Sequence, residues 1–389
     1  MQEHEVSVLV QHGVKALRQG NTAEAIAAFS KVVDAGRGDA SLLMALAAAY
    51  RRERRLEPAL EKAAHALRME PANLQAVLLN ADLLADSGQT RGAAAYYLAA
   101  LKLASTLESI PEAVQPDLAR GQAFCNEQTS LTEHSVRVAL AAEPASMASA
   151  RFCESLDIMF GRTKPYLQQP KHYFFPDLPH TAFFDPNQFD WVAELEQHTD
   201  AIREEVLALL ATPDQFKPYV ERNFRSPQFD VNRMVNNPEW SAFYLWKHGE
   251  LIEQNAARCP RTVAAIGRVP LTQMPARSPS VLFSIMKPNA HIPPHHGMIN
   301  TRLIAHLPLI VPNGCEFRVG NHIRRWQEGK VWIFDDTIEH EAWNRSDQTR
   351  AILLFEVWRP ELSNAERDGV NSLFAAIDAH TGQAPAWEI

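Results

Sequence analysis

Two patterns of apolar positions divide the chain. From Val6 to about Ser105, Ala and Leu recur at helical spacing with breaks at Gly20, Pro71 and Gly88, which predicts an all-helical segment. After residue 172, Pro, aromatic and β-branched residues become frequent and short alternating runs take over. Strands are predicted at VLFSIM (281–286), TRLIAHLPLIV (301–311), EFRVG (316–320), KVWIFDD (330–336) and RAILLFEVW (350–358). Ahead of them, WVAELEQHTDAIREEVLALL (191–210) and WSAFYLWKHGELIEQNAARC (240–259) predict helices packed outside the sheet. Many short strands separated by turn residues favour a sandwich or barrel, and a double-sheet jelly roll fits.

The helical segment repeats itself. Ala25, Ala59 and Ala93 lie 34 residues apart, as do Phe29, Ala63 and Tyr97, and Val32, Ala66 and Ala100. A 34-residue helix-turn-helix unit, with a small residue where the helices touch and a larger one a turn later, resembles the tetratricopeptide repeat. Three units, roughly 6–39, 40–73 and 74–107, are expected, the first matching least well. Stacked repeats of this kind form a concave surface for an extended peptide or a partner helix, and serve equally well to pair two copies of a chain. The expected division is a repeat solenoid over 1–107, a helical cap and linker over 108–170, where Pro165 and Pro170 fall, and a β-rich domain over 171–389.

Charge and composition then narrow the classes. Lys and Arg number 38 against 46 Asp and Glu, a formal charge of −8, and the pI is near 6.0. That balance argues against a nucleic-acid partner, which calls for a basic face. No uninterrupted apolar run reaches the ~18 residues that would span a bilayer, and the acidic start MQEHEVSVLVQHG lacks a secretory signal, so a cytoplasmic protein is expected. Cys125, Cys153, Cys259 and Cys315 include no CxxC pair, which suggests neither a disulfide framework nor a thiolate zinc site.

Chemistry concentrates in the second half. His291, His295 and His296 sit in HIPPHHGMIN, followed by His306, His322 and His340, the last within FDDTIEHEAW. Neutral imidazole is the commonest biological metal ligand. The order and spacing of FSIMKPNAHIPPHHGMINTRL, AHLPLIVP, WQEGKVWIFDDTIEHEAWN and VWRPEL resemble the aspartyl/asparaginyl β-hydroxylases, with YFFPDLPHTAFFD and the WSAFYLW to CPRT segment extending the match over roughly 172–360. The resemblance implies a double-stranded β-helix (jelly roll, cupin-like) with flanking helices, and a dioxygenase that uses Fe(II), dioxygen and 2-oxoglutarate as co-substrate.

It also implies roles. The iron ligands fall on His295 and His340, 45 residues apart. Gly297 stands where most related oxygenases complete the metal triad with a carboxylate; this family lacks that carboxylate too. Arg350 corresponds to the arginine that grips the distal carboxylate of 2-oxoglutarate, Ser284 to its hydroxyl partner, and His306 to a residue at the chelating end. Ile304 replaces a family arginine, for which Arg302, on the same face of an alternating strand, is the nearest substitute. Arg233 and Arg302 are the candidate substrate contacts. Trp326, Trp332 and Trp343 are expected to pack, His296 to point away from the metal, and Asp335, Asp336, Glu339 and Glu341 are left between supporting the histidine and simple turn or surface roles. The implied reaction is hydroxylation of a carbon of an aspartyl or asparaginyl substrate, in a peptide or protein. Three alternatives stand beside it: a repeat scaffold with an inactive oxygenase domain, a halogenase that places halide in the gap beside Gly297, and a cupin-type protein that holds zinc or another metal without redox chemistry.

Overall fold

Small residues at fixed intervals let the N-terminal helices approach one another. The computed structural model describes residues 1–142, 149–212, 214–222 and 234–381. The chain divides into two compact units, 1–162 and 163–389. In the first, helices α1 (Glu3–Arg18) and α2 (Thr22–Asp34), α3 (Ala40–Arg52) and α4 (Leu56–Met69), and α5 (Leu74–Asp86) and α6 (Thr90–Ala104) form three successive pairs. All nine residues of the three sequence columns are buried. Asp39 and Asn73 cap α3 and α5 by accepting hydrogen bonds from the amides of Leu42 and Ala76 at 2.7 and 3.1 Å. Helices α7 (Gln115–Ala141) and α8 (Ala150–Met159) follow.

One carboxylate ties several of these helices together. Asp82 of α5 accepts from Arg51 of α3 at 2.7 Å, from Tyr97 of α6 at 2.5 Å, and from Arg120 of α7 at 2.8 and 3.0 Å. Burial and the neighbouring Asp82 push the Tyr97 phenol up to about 12.

Among the described residues the second unit holds twelve strands: β1 (Phe183–Phe184), β2 (Lys217–Pro218), β3 (Trp240–Lys247), β4 (Glu250–Leu251), β5 (Val281–Met286), β6 (His291–His295), β7 (Arg302–Ile310), β8 (Cys315–Val319), β9 (His322–Arg324), β10 (Trp332–Phe334), β11 (His340–Asn344) and β12 (Arg350–Trp358). The larger sheet runs β1-β10-β7-β12-β5-β3-β2 with β4 beside β3, and the smaller runs β6-β11-β8-β9. Every strand pairing is antiparallel. Alternation gives the larger sheet two distinct faces. Leu303, Ala305 and Leu307 of β7 and Leu353, Phe355 and Val357 of β12 join a core with α9 (Val192–Gln197), α10 (Thr199–Leu210) and α11 (Pro260–Ile266). On the other face, Leu282, Ile304 and Leu354 pack against Ile292, Phe317 and Ala342 of the smaller sheet.

The five strands expected from the sequence are present within a few residues, but two expected helices need correction. Residues 191–210 form α9 and α10, which meet at His198, where the Thr199 hydroxyl donates to the Glu196 carbonyl at 2.6 Å. The segment 240–259 is mainly the hairpin β3–β4, followed by a short helix at Glu253–Ala256. Its apolar residues fall on both faces, Trp240 and Ala242 toward one core and Phe243 and Leu245 toward the other. A strand buried on both sides shows no polar alternation and mimics a buried helix. The overlooked signal is His248-Gly249, a two-residue turn with φ of 54° and 87°, the left-handed geometry that closes hairpins.

Replacing Asp82 with alanine leaves the buried Tyr97 hydroxyl without its acceptor. It should destabilise the helical unit by ~1–3 kcal/mol, read as a lower urea midpoint by far-UV circular dichroism.

Candidate active site

Two strands absent from the sequence expectation, β6 and β11, are the ones that bring the histidines together. β6 reads HIPPH, and its two prolines are tolerated because it lies at the edge of the smaller sheet. It pairs with β11 so that His295 stands directly opposite His340, with ring centroids 4.1 Å apart. His295 Nδ1 lies 2.7 Å from the Pro293 carbonyl, and His340 Nδ1 lies 3.0 Å from that of Ile338. A carbonyl only accepts, so each Nδ1 carries the proton and each Nε2 keeps its lone pair for a ligand. Burial pushes the His295 imidazole down to about 4 and holds His340 well below its usual range, with His295 adding to the effect. Both rings are therefore neutral, the protonation state a metal needs. Among the described residues no cluster of three or more His, Cys, Asp or Glu is placed to hold a metal, so the pair stands without a third protein ligand.

Gly297 explains that gap sterically. A Cβ built there would lie 2.0–2.6 Å from the carboxylate atoms of Asp336, and the Gly297 amide donates to the Asp336 carbonyl at 2.6 Å. Asp336, four residues before His340, thus fills the space that a side chain at 297 would take.

Both histidines line a cleft between the two sheets, with about 830 Å³ of unfilled space, part of it open to solvent. At one end lies Arg350, fully buried, with its guanidinium 4.9 Å from the Trp326 ring and Nη1 donating to the Ser284 carbonyl at 3.3 Å. No carboxylate neutralises it among the described residues, its Nε has no hydrogen-bond partner there, and burial lowers its pKa to about 10. The Ser284 hydroxyl accepts from the Trp240 indole at 3.1 Å, which leaves its own proton to donate. His306 accepts from the Trp326 indole through Nδ1 at 3.4 Å, so its proton resides on Nε2. Burial and the nearby Arg350 hold it well below its usual range. Buried cation, hydroxyl and imidazole donors together make an anion-binding end.

The other end is built differently. Arg302 lies 3.1 Å from Asp336 and 3.4 Å from Glu356, although its Nε and Nη1 hydrogens are not aimed at those oxygens. Burial would lower the Arg302 guanidinium, but the two carboxylates outweigh it and hold it above its usual value. Burial pushes the Asp336 carboxyl up to about 6 against the pull of Arg302. Glu356 is fixed by the Ser280 amide, which donates at 2.9 Å. Arg302 is four residues from His306 along β7, a displacement of about 13 Å, and belongs to the acidic end. The residue expected to substitute at the chelating end is thus placed between two carboxylates.

His295, His340, Ser284, Arg302, His306 and Arg350 thus share one cleft. Arg233 lies outside the described residues. His296 is not among the lining residues, whereas Trp326 packs in the wall. Asp335 is structural: Arg359, Gln168 and Thr337 saturate it. Glu339 and Glu341 both bind Arg318, and Glu341 also meets His291 at 3.0 Å. Glu356 was missed in the sequence, although it keeps phase with Arg350, Ile352 and Leu354 in an alternating strand.

Residues 196–360 match the family described as Aspartyl/Asparaginyl beta-hydroxylase. A Rhizobium tropici protein named ornithine lipid ester-linked acyl 2-hydroxylase is 38% identical over 186 residues, 47% of this chain and 62% of that protein. The human aspartyl/asparaginyl beta-hydroxylase is 35% identical over 177 residues, 45% of this chain and 22% of that protein. The chain therefore spans less than two thirds of the length of either relative. For the helical unit, the Arabidopsis OM64 TPR domain aligns with 32% of this chain and 97% of its own, at a TM-score of 0.28 and 15% identity. Residues 196–360, which include both histidine strands and the strand of Arg350, thus carry the similarity to the aspartyl/asparaginyl β-hydroxylase family, and the relatives matched are named as hydroxylases.

Proposed function

We propose that the second unit is an iron(II)- and 2-oxoglutarate-dependent hydroxylase on a double-stranded β-helix. The observation that carries this reading is the buried, uncompensated Arg350 in the same cleft as two neutral histidines with outward Nε2 lone pairs. A cation buried without a partner costs several kcal/mol, and a dicarboxylate co-substrate offsets that cost.

His295 and His340 would hold the metal. Arg350 and the Ser284 hydroxyl would take the distal carboxylate, and His306 would donate from Nε2 toward the chelating end. Together, bound iron and 2-oxoglutarate supply dioxygen activation: 2-oxoglutarate is oxidised to succinate and carbon dioxide while one oxygen atom enters a substrate C–H bond. The protein fixes the imidazoles through the Pro293 and Ile338 carbonyls. Phe317 and Phe334 pack within 5.9 and 5.6 Å of the His340 ring and exclude water there.

The family name supports an aspartyl or asparaginyl carbon as the target, and the name of the Rhizobium relative supports a lipid acyl chain. The helical repeats would dock a peptide or protein partner, or a second copy of the chain. A halide beside Gly297 is disfavoured because the Asp336 carboxylate occupies that space. The intact His295, His340 and Arg350 set favours turnover over an inactive scaffold.

His340→Ala should abolish stoichiometric iron after anaerobic reconstitution, measured by metal analysis, together with succinate formation. Retention of full iron content would remove His340 from the metal site. Arg350→Ala should keep the iron and weaken 2-oxoglutarate at least about tenfold, given ~1.5–3 kcal/mol for a hydrogen bond to a charged group; unchanged affinity by calorimetry refutes its role. Gly297→Ala drives a methyl into Asp336 and should cost ~1–3 kcal/mol of stability, detected as a lower Tm even in metal-free protein.

A further inference from the structure

We infer that Ile304 selects the substrate of this cleft, and that the group presented beside the histidine pair is an uncharged aliphatic chain rather than a carboxylate side chain. The inference rests on the hydroxylase reading above and assigns its substrate class.

Charge is the first argument. Among the described residues lining the cleft, the full charges are Arg350, Arg302, Asp336 and Glu356. Arg350 faces the co-substrate end. Arg302 already lies within ion-pair distance of two carboxylates, and neither can swing away easily. Asp336 is confined against Gly297, and Glu356 is held by the Ser280 amide. A substrate carboxylate entering here would put three buried carboxylates around one guanidinium, and desolvated like charges repel strongly.

The second argument is what the wall offers instead. Ile304 lies on β7 between His306 and Arg302, with Phe334 opposite it on β10 and Glu356 opposite it on β12. It is buried in the cleft with Ile292, Ile352, Leu354, Met298 and Ala342. These side chains are contributed by both sheets and by the segment just after His295, and with Trp240, Phe317 and Phe334 around the histidine rings they make much of the cleft wall apolar. Position 304 is thus part of an apolar wall. An aliphatic chain gains from burial against it, whereas a carboxylate would lose hydration, and the lining cations among the described residues are Arg350, at the co-substrate end, and Arg302, already set between two carboxylates.

The full-length protein, held under argon with iron(II) and 2-oxoglutarate, would be titrated with two probes, decanoyl-glycinamide and an uncharged-terminus peptide bearing one aspartate, with binding followed by tryptophan fluorescence. The acyl probe should bind at least roughly tenfold more tightly. Ile304→Leu should preserve that order, and Ile304→Arg should reverse it. Equal affinities, or tighter binding of the aspartyl peptide to the wild type, overturn the inference while leaving the hydroxylase reading intact. Failure to bind 2-oxoglutarate itself overturns the hydroxylase reading and this inference with it, and admitting air then reports succinate formation for each probe.

Discussion

The antiparallel register between β6 and β11 is the constraint on which the cleft depends. Because His295 and His340 are direct cross-strand partners, their rings come within 4.1 Å without help from any loop. Each Nδ1 is anchored to a carbonyl two residues back in its own chain segment, so ring orientation follows from the local backbone. A one-residue slip would send one imidazole to the other face of the sheet. The same register sets Gly297, two residues beyond β6, against Asp336, four residues before His340. The absence of a side chain at position 297 is therefore a consequence of packing as well as of sequence.

Four full charges in one apolar sandwich would be destabilising unless each were answered. Arg302, Asp336 and Glu356 answer one another. Of the two lining cations among the described residues, Arg350 has only a carbonyl and an aromatic face. The polarity of the cleft follows from this asymmetry: an anion-seeking end at Arg350, a self-neutralised end at Arg302, and aliphatic side chains between them. Natural proteins accept such unanswered charges where a ligand supplies the counter-charge.

The helical unit solves a different problem by similar means. Its helices meet through alanines, which lose no side-chain entropy and permit close approach. Alanine contacts alone confer little specificity, and the Asp82 cluster joins α3, α5, α6 and α7 in one arrangement.

The sequence by itself determined the 34-residue helical period, the long strands β5, β7 and β12, and the alternation that puts Arg302, Ile304 and His306 on one face, because local periodicity records which side of an element is buried. The resemblance in its motifs also singled out His295, His340, Ser284, His306 and Arg350, which the fold gathers into one cleft. Tertiary structure alone decided that WSAFYLW is a strand, since burial on both faces erases the periodic signal. It also decided that a proline-bearing HIPPH can be an edge strand. It separated Asp335 from Asp336, neighbours of identical chemistry, by giving one a saturated set of donors and the other the space above Gly297. Finally, it bound Arg302 to two acids, one of them, Glu356, from a distant strand. Charge compensation across sheets depends on which strands become neighbours, and no local pattern encodes that.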